Sequence, residues 1–276
     1  MDCSQHLKSR TVFFVSDSTG ITAHTLGHSL LSQFDHLSFE YRIFSNINTI
    51  ETAQKAVFEI NHCAAILENR PLIFVTITEA KVRHIVSKAH GMVMDLLGTF
   101  IEPLELELQM PSSHAVGRSH NTKVLNYNKR INAINFATQH DDGASTAHYE
   151  EADVILVGAS RCGKTPTSMF LAVQFGVAAA NFPITDDDIL DMQLPESIRD
   201  FRAKLFGLTI RPERLSKIRQ ERRPNSRYAS LIQCETEVQK IEVLYKRLNI
   251  PFADTTTKSV EEISALVLQH IKWDWH

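Results

Sequence analysis

The sequence predicts an α/β protein built in two halves, on three observations. Short β-branched and aromatic runs alternate with helix-period segments from residue 12 to residue 97, and the alternation resumes at residue 154. Between these halves, from Pro103 to about Asn128, the periodicity fades and Pro111-Ser112-Ser113 with Gly117 marks a loop. Strand-helix alternation gives a mainly parallel sheet, because parallel neighbours need a long crossover and the helix supplies it.

The elements follow in order. Val12 to Ser16 is a strand that stops at the turn-forming Asp17-Ser18-Thr19-Gly20, and a helix is predicted from Ile21 to Phe34. Phe39 to Phe44 is extended, and Thr49 to Leu67 is helical. Pro71 opens a buried strand from Leu72 to Thr78, after which Glu79 to about Leu97 reads as helix. Tyr127 to His140 is a helix ended by Asp141-Asp142-Gly143. Beyond it come strands at 154–157, 177–184, 204–210 and 250–254, with helices at 164–175, 212–223 and 230–248. Ser259-Val260-Glu261-Glu262 spells a capping box before a last helix. The expected division is an N-terminal α/β domain at 1–110, for regulation or partner recognition, a linker and helix with its His-Asp-Asp-Gly turn at 111–150, and a second α/β domain at 151–276.

Composition removes several classes. The 276 residues suffice for one large domain or two small ones, and 43% hydrophobic with 22% charged residues excludes a collagenous or disordered chain. A net charge of -3 supplies no overall field for nucleic acid or anionic membrane. Cys3, Cys63, Cys162 and Cys234 form no CxxC pair, and the thirteen histidines show no HExxH spacing, so neither a disulfide framework nor a zinc site is indicated. A reducing cytoplasm fits this cysteine usage; the N-terminal apolar run is too short for a signal peptide and no stretch reaches 18 apolar residues, so neither export nor membrane spanning is expected.

Gly158-Ala159-Ser160-Arg161-Cys162-Gly163-Lys164-Thr165 satisfies G-x-x-x-x-G-K-[ST] at every specified position, between an apolar strand and an apolar-periodic helix. The glycines let consecutive N–H groups converge on a phosphate, and the helix N-terminus adds partial positive charge. Lys164 would reach the terminal phosphates and Thr165 would offer a hydroxyl to Mg²⁺. Cys162 reads as a bystander rather than a nucleophile, and Arg161 as a second phosphate contact or a solvated side chain. The fold expected is therefore an N-terminal α/β domain with a mainly parallel sheet, followed by a P-loop kinase-like α/β domain.

Carboxylates and cations complete the candidate site. Asp186-Asp187-Asp188 follows the second strand of the second half, where small P-loop kinases carry an acceptor-orienting carboxylate; Asp187 is favoured, then Asp188. From Arg211 to Arg227 lie seven cations against Glu213 and Glu221. Arg219, Arg222 and Arg223 have i, i+3, i+4 spacing and are expected on one face of a lid, where guanidinium groups screen a moving phosphoryl group; a solvated basic face is the alternative. Ser16 to Gly20 and the His140-Asp141-Asp142-Gly143 turn are each either ligand-handling loops or plain polar turns.

The sequence resembles the bacterial phosphoenolpyruvate synthetase regulatory proteins, relatives of the pyruvate, phosphate dikinase regulatory proteins. The likeness is carried by VSDSTGITAHTLGHSLLSQF at 15–34, HDDG at 140–143, VILVGASRCGKTPTSMFLAVQFGVAAANFP at 154–183 and KLFGLTIRPERLSKIRQERRPNSRYAS at 204–230. It implies a bifunctional enzyme. One activity transfers the β-phosphoryl group of ADP to a threonine of the synthetase and inactivates it; the other uses inorganic phosphate to remove that group as pyrophosphate. The resemblance is closer to the synthetase-directed branch, since the dikinase-directed one tends to carry Ser at the position of Gly163. It implies the synthetase as partner, with a homodimer left open; the residues read above as carrying the chemistry are Lys164, Asp187, Asp188, Arg219 and Arg223 as catalytic, the loop 158–165 as nucleotide-binding for ADP, and Thr165 for Mg²⁺. The other readings are a nucleotide-binding switch without transfer and a small-metabolite P-loop kinase, which is shorter and lacks the first 150 residues.

Overall fold

The structure is a computed structural model that describes residues 9–113, 124–185, 188 and 193–273. It divides into two compact units, Met1–Asn121 and Thr122–His276.

The first unit holds four parallel strands, β1 (Ser9–Ser16), β2 (Ser38–Phe44), β3 (Leu72–Thr76) and β4 (Met92–Asp95), in the order β2-β1-β3-β4. The pleat sends alternate side chains to opposite faces. Phe13, Val15, Ile73 and Val75 pack with Ala53, Ile60 and Val82 of helices α2 (Ile50–Ile66) and α3 (Ala80–Val86), whereas Val12, Phe14 and Phe74 pack with Ala23 and Leu31 of α1 (Ile21–Leu31). Asp17, buried at the end of β1, accepts hydrogen bonds from Thr78 N and Oγ1, both at 2.7 Å, and so braces the two loops that follow β1 and β3.

Two expectations fail here for local reasons. The single helix expected over 79–97 ends at Val86, and Met92–Asp95 pairs with β3 as a fourth strand. Gly91 admits this turn because a Cβ there would lie 2.4 Å from Ile73 Cδ1 and 2.9 Å from the Pro71 carbonyl. Four residues are too few to display a period of two. The loop expected from Pro103 begins later, since helix α4 (Gly98–Leu108) runs through Pro103 and loses one backbone hydrogen bond there.

The second unit repeats the plan with β5 (Val154–Gly158), β6 (Ala179–Pro183), β7 (Leu205–Thr209) and β8 (Phe252–Asp254), all parallel, in the order β6-β5-β7-β8. Among the described residues the helices α5 (Val124–Gln139), α6 (Lys164–Phe175), α7 (Glu196–Arg199), α8 (Pro212–Arg222), α9 (Leu231–Leu248) and α10 (Val260–His270) accompany them. Ser259 and Glu262 form the expected capping box on α10. No helix among the described residues is long and apolar enough to cross a membrane.

The fully buried β5 runs down the middle of this core, and Tyr245 of α9 seals it by donating its hydroxyl to the Val157 carbonyl at 2.8 Å. Burial pushes the Tyr245 phenol well above its ordinary pKa, so it stays a neutral donor. Gly207 leaves room for this ring, since a Cβ there would stand 2.6 Å from Tyr245 Cε2. Gly207→Ala is expected to destabilise the protein by about 1–3 kcal/mol through overpacking, read as a lower midpoint of urea unfolding.

Candidate functional site

The loop from Gly158 to Thr165 leaves the C-terminal end of β5 and turns into α6. Gly158 must be small, because a Cβ would lie 2.4 Å from the Leu208 carbonyl of the adjacent strand. Arg161 has φ 77° and Gly163 φ 100°, two left-handed residues that curl the backbone. The first helical N–H groups, at Lys164 and Thr165, have no intrahelical acceptor and point out of the helix end. A cavity of about 170 Å³ lies over them, lined by Asp142, Ser160, Arg161, Gly163, Lys164 and Thr165.

Lys164 is only 4% exposed, and its ammonium donates to the Gly158 and Ala159 carbonyls at 3.2 and 3.1 Å. Asp142 Oδ1 stands 3.8 Å away. Thr165 donates its hydroxyl to Asp141 Oδ1 at 2.7 Å. Two consecutive carboxylates therefore meet the two polar side chains that close the phosphate loop. The Asp141 and Thr165 oxygens, side by side, are donors of the kind a hard cation takes.

These carboxylates come from the 3-10 turn Asp141–Gly143, which leads from α5 toward β5. Asp142 is itself left-handed, φ 52°, and Gly143 follows at φ 72°. Fully buried Asn181, in β6, holds the turn: its Nδ2 donates to Asp141 Oδ1 at 2.6 Å and its Oδ1 accepts from Asp142 N at 2.9 Å. Buried His140 anchors the other side, with Nδ1 2.7 Å from the Phe136 carbonyl and Nε2 2.6 Å from that of Ala147.

Arg219 departs from the sequence expectation. It is fully buried and makes a two-pronged ion pair with Glu237 of α9, at 2.7 and 2.9 Å. Its Nε and Nη2 also donate to the Ser160 carbonyl, and the guanidinium lies 4.1 Å from the Tyr228 ring centre. Burial alone would lower its pKa, but the Glu237 hydrogen bonds and charge raise it by more. Arg222 and Arg223 are exposed, and Arg223 leaves helical geometry at φ -138°, so the three arginines share no common face. The physical reason is that Leu215 and Arg219, four apart, take the inward stripe of α8.

The other candidates are placed as follows. Burial pushes the Cys162 thiol up, outweighing the nearby Lys164 charge, and the side chain is 1% exposed. The Cys162 carbonyl accepts from Thr255 Oγ1 at 2.9 Å. Asp188 Oδ2 accepts from Thr185 N and Oγ1, at 2.8 and 2.7 Å, folding onto its own turn. Asp186 and Asp187 lie outside the described residues. Sequence reasoning left Asp141 and Asp142 undecided and did not reach Asn181 or Glu237; the adjacent carboxylates just before the loop's strand were the one legible signal.

The chain belongs to the kinase/pyrophosphorylase family, whose model matches residues 12–268. Its relatives include proteins of Hahella chejuensis and Marinobacter nauticus, each 52% identical over 260 residues, and one of Pseudomonas aeruginosa, 50% identical over the same length. The matched span covers 94% of this chain and 95–96% of each relative. All three carry the name "putative phosphoenolpyruvate synthase regulatory protein". The family match takes in the phosphate loop, the Asp141-Asp142 turn and the Arg219–Glu237 pair.

Because Glu237 is the carboxylate partner of a buried guanidinium, Glu237→Ala is expected to cost about 3–5 kcal/mol in urea unfolding. The double change Arg219→Met with Glu237→Leu, which removes both charges, is expected to cost clearly less.

Proposed function

We propose that this chain is a regulator of phosphoenolpyruvate synthase that works by phosphoryl transfer in both directions. The observation that carries the reading is the meeting of Lys164 and Thr165 with Asp142 and Asp141 around one small cavity. In the inactivating direction ADP gives its β-phosphoryl group to a threonine hydroxyl of the synthase, leaving AMP and phosphothreonine. In the activating direction inorganic phosphate attacks the phosphothreonine phosphorus, leaving pyrophosphate and free threonine.

The residues suit these steps. The loop 158–165 binds the diphosphate through converging N–H groups, and Lys164 exchanges its contacts with the Gly158 and Ala159 carbonyls for phosphate oxygens. Mg²⁺ bound at Thr165 and Asp141 would supply charge neutralisation for the diphosphate, and the donor set of hydroxyl and carboxylate oxygens fits it. Asp142, with its side chain largely in solvent beside the loop, joins Asp187 and Asp188 as a candidate to take the proton of the threonine hydroxyl. Arg219 acts indirectly, by holding the Ser160 carbonyl so that the loop keeps its curl. Arg223, exposed after α8, stays assigned to screening the transferred charge. A single anion site serves both directions, since phosphate occupies the hole that a nucleotide phosphate leaves. The free thiols of Cys63, Cys162 and Cys234 suit a reducing compartment such as the cytoplasm.

Incubation with ADP, Mg²⁺ and phosphoenolpyruvate synthase is expected to yield AMP and phosphothreonine, with ATP a poorer donor in a parallel reaction. Bound but unconsumed ADP would instead indicate a switch without transfer. Lys164→Ala is expected to lower both directions by at least about a hundredfold. Full retention of the pyrophosphate-forming reaction in that variant would put the two activities in separate sites.

A further inference from the structure

A second, larger cavity of about 690 Å³ opens in the same unit beside the phosphate loop. Its walls come from Ser160, from Thr185 past the end of β6, from Arg227 and Tyr228 in the turn after α8, and from Thr236 and Lys240 on α9. Ser160 lines both cavities, so they meet at the loop. The Ser160 hydroxyl is 3.0 Å from the Tyr228 hydroxyl across that junction.

The charge on these walls is unbalanced. Arg219 and Glu237 line the cavity but neutralise each other. Arg227 and Lys240 remain, one exposed and one half-buried, and neither side chain makes an ion pair or hydrogen bond among the described residues. Two such cations bordering one cavity suit a dianionic group. The volume is about four times that of the phosphate cavity, so it takes a phosphorylated side chain with flanking peptide rather than a phosphate alone. A neutral nucleoside would gain little from the two charges, and the Tyr228 ring already has Arg219 on it.

We propose that this cavity is the acceptor site, and that Arg227 and Lys240 hold the phosphoryl group of a phosphothreonine segment of the target protein beside the phosphate loop. The assignment rests on the transfer reaction proposed above and adds the position and chemistry of its second substrate. Arg227 and Lys240 would favour the phosphorylated segment over the free hydroxyl form, and so bear on the pyrophosphate-forming direction more than on the other.

The test is a titration of the full-length protein with N-acetyl-phosphothreonine methylamide and with its unphosphorylated counterpart. Wild type is expected to bind the phosphorylated probe at least about tenfold more tightly, and Arg227→Gln and Lys240→Gln each to lose about tenfold of that affinity. ADP affinity and the unfolding midpoint are expected to stay unchanged in both variants. Equal binding of the two probes by wild type, or equal affinity of wild type and variants for the phosphorylated probe, would overturn the assignment. A parallel loss of ADP affinity would also overturn it, giving the cavity to the nucleotide. A wild-type protein that binds the phosphorylated probe but makes no AMP from ADP and the synthase would sink the transfer reaction and leave the site standing.

Discussion

A backbone that turns successive N–H groups toward one point must turn its carbonyls away from that point, and those carbonyls need donors of their own. The second unit is organised around this requirement. The Gly158 carbonyl accepts from Ile184 N and, with that of Ala159, from the Lys164 ammonium. The Ser160 carbonyl accepts from Arg219, and the Cys162 carbonyl from Thr255. Donors thus arrive from the end of β6, from α8 and from the segment after β8, as well as from the loop's own lysine. The curl is thus fixed by the protein's own donors.

The Arg219–Glu237 pair is the costliest of these supports. A buried ion pair gives little net stability, because desolvation of both charges offsets most of their attraction. Here each charge also does geometric service: the guanidinium grips a loop carbonyl and a tyrosine ring, and the carboxylate keeps the guanidinium from solvent-facing rotamers. Rigidity at Ser160 matters because that residue borders both cavities.

The Asp141-Asp142 turn shows the same economy on the opposite side of the loop. One amide side chain, Asn181, satisfies both the turn's backbone and its first carboxylate, which leaves the second carboxylate free to face the lysine. A strand asparagine buried at 0% exposure is explained only by such a partner.

Local signals carried most of the architecture. The apolar run before Gly158, the glycine spacing and the Ser259–Glu262 cap are short-range features, and each element they predict is present within a few residues. The four-residue β4, with no helix or strand pattern long enough to set it apart from the helix before it, left no such trace. The turn between β5 and α6 was likewise legible, because its spelling lies in eight consecutive residues. Its supports were not, since Asn181, Arg219, Glu237 and Thr255 reach it from separate elements over up to 93 positions of sequence. Spacing along α8 put Arg219 with Arg222 and Arg223 on one face of a lid, with a solvated face as the alternative, and only the packing of α8 against α9 turned it inward. Sequence by itself determined where the glycine-rich turn falls between strand and helix; tertiary structure decided which charges face that turn and which are consumed in holding it, because hydrogen bonds across strands and helices depend on distances that no one-dimensional pattern records.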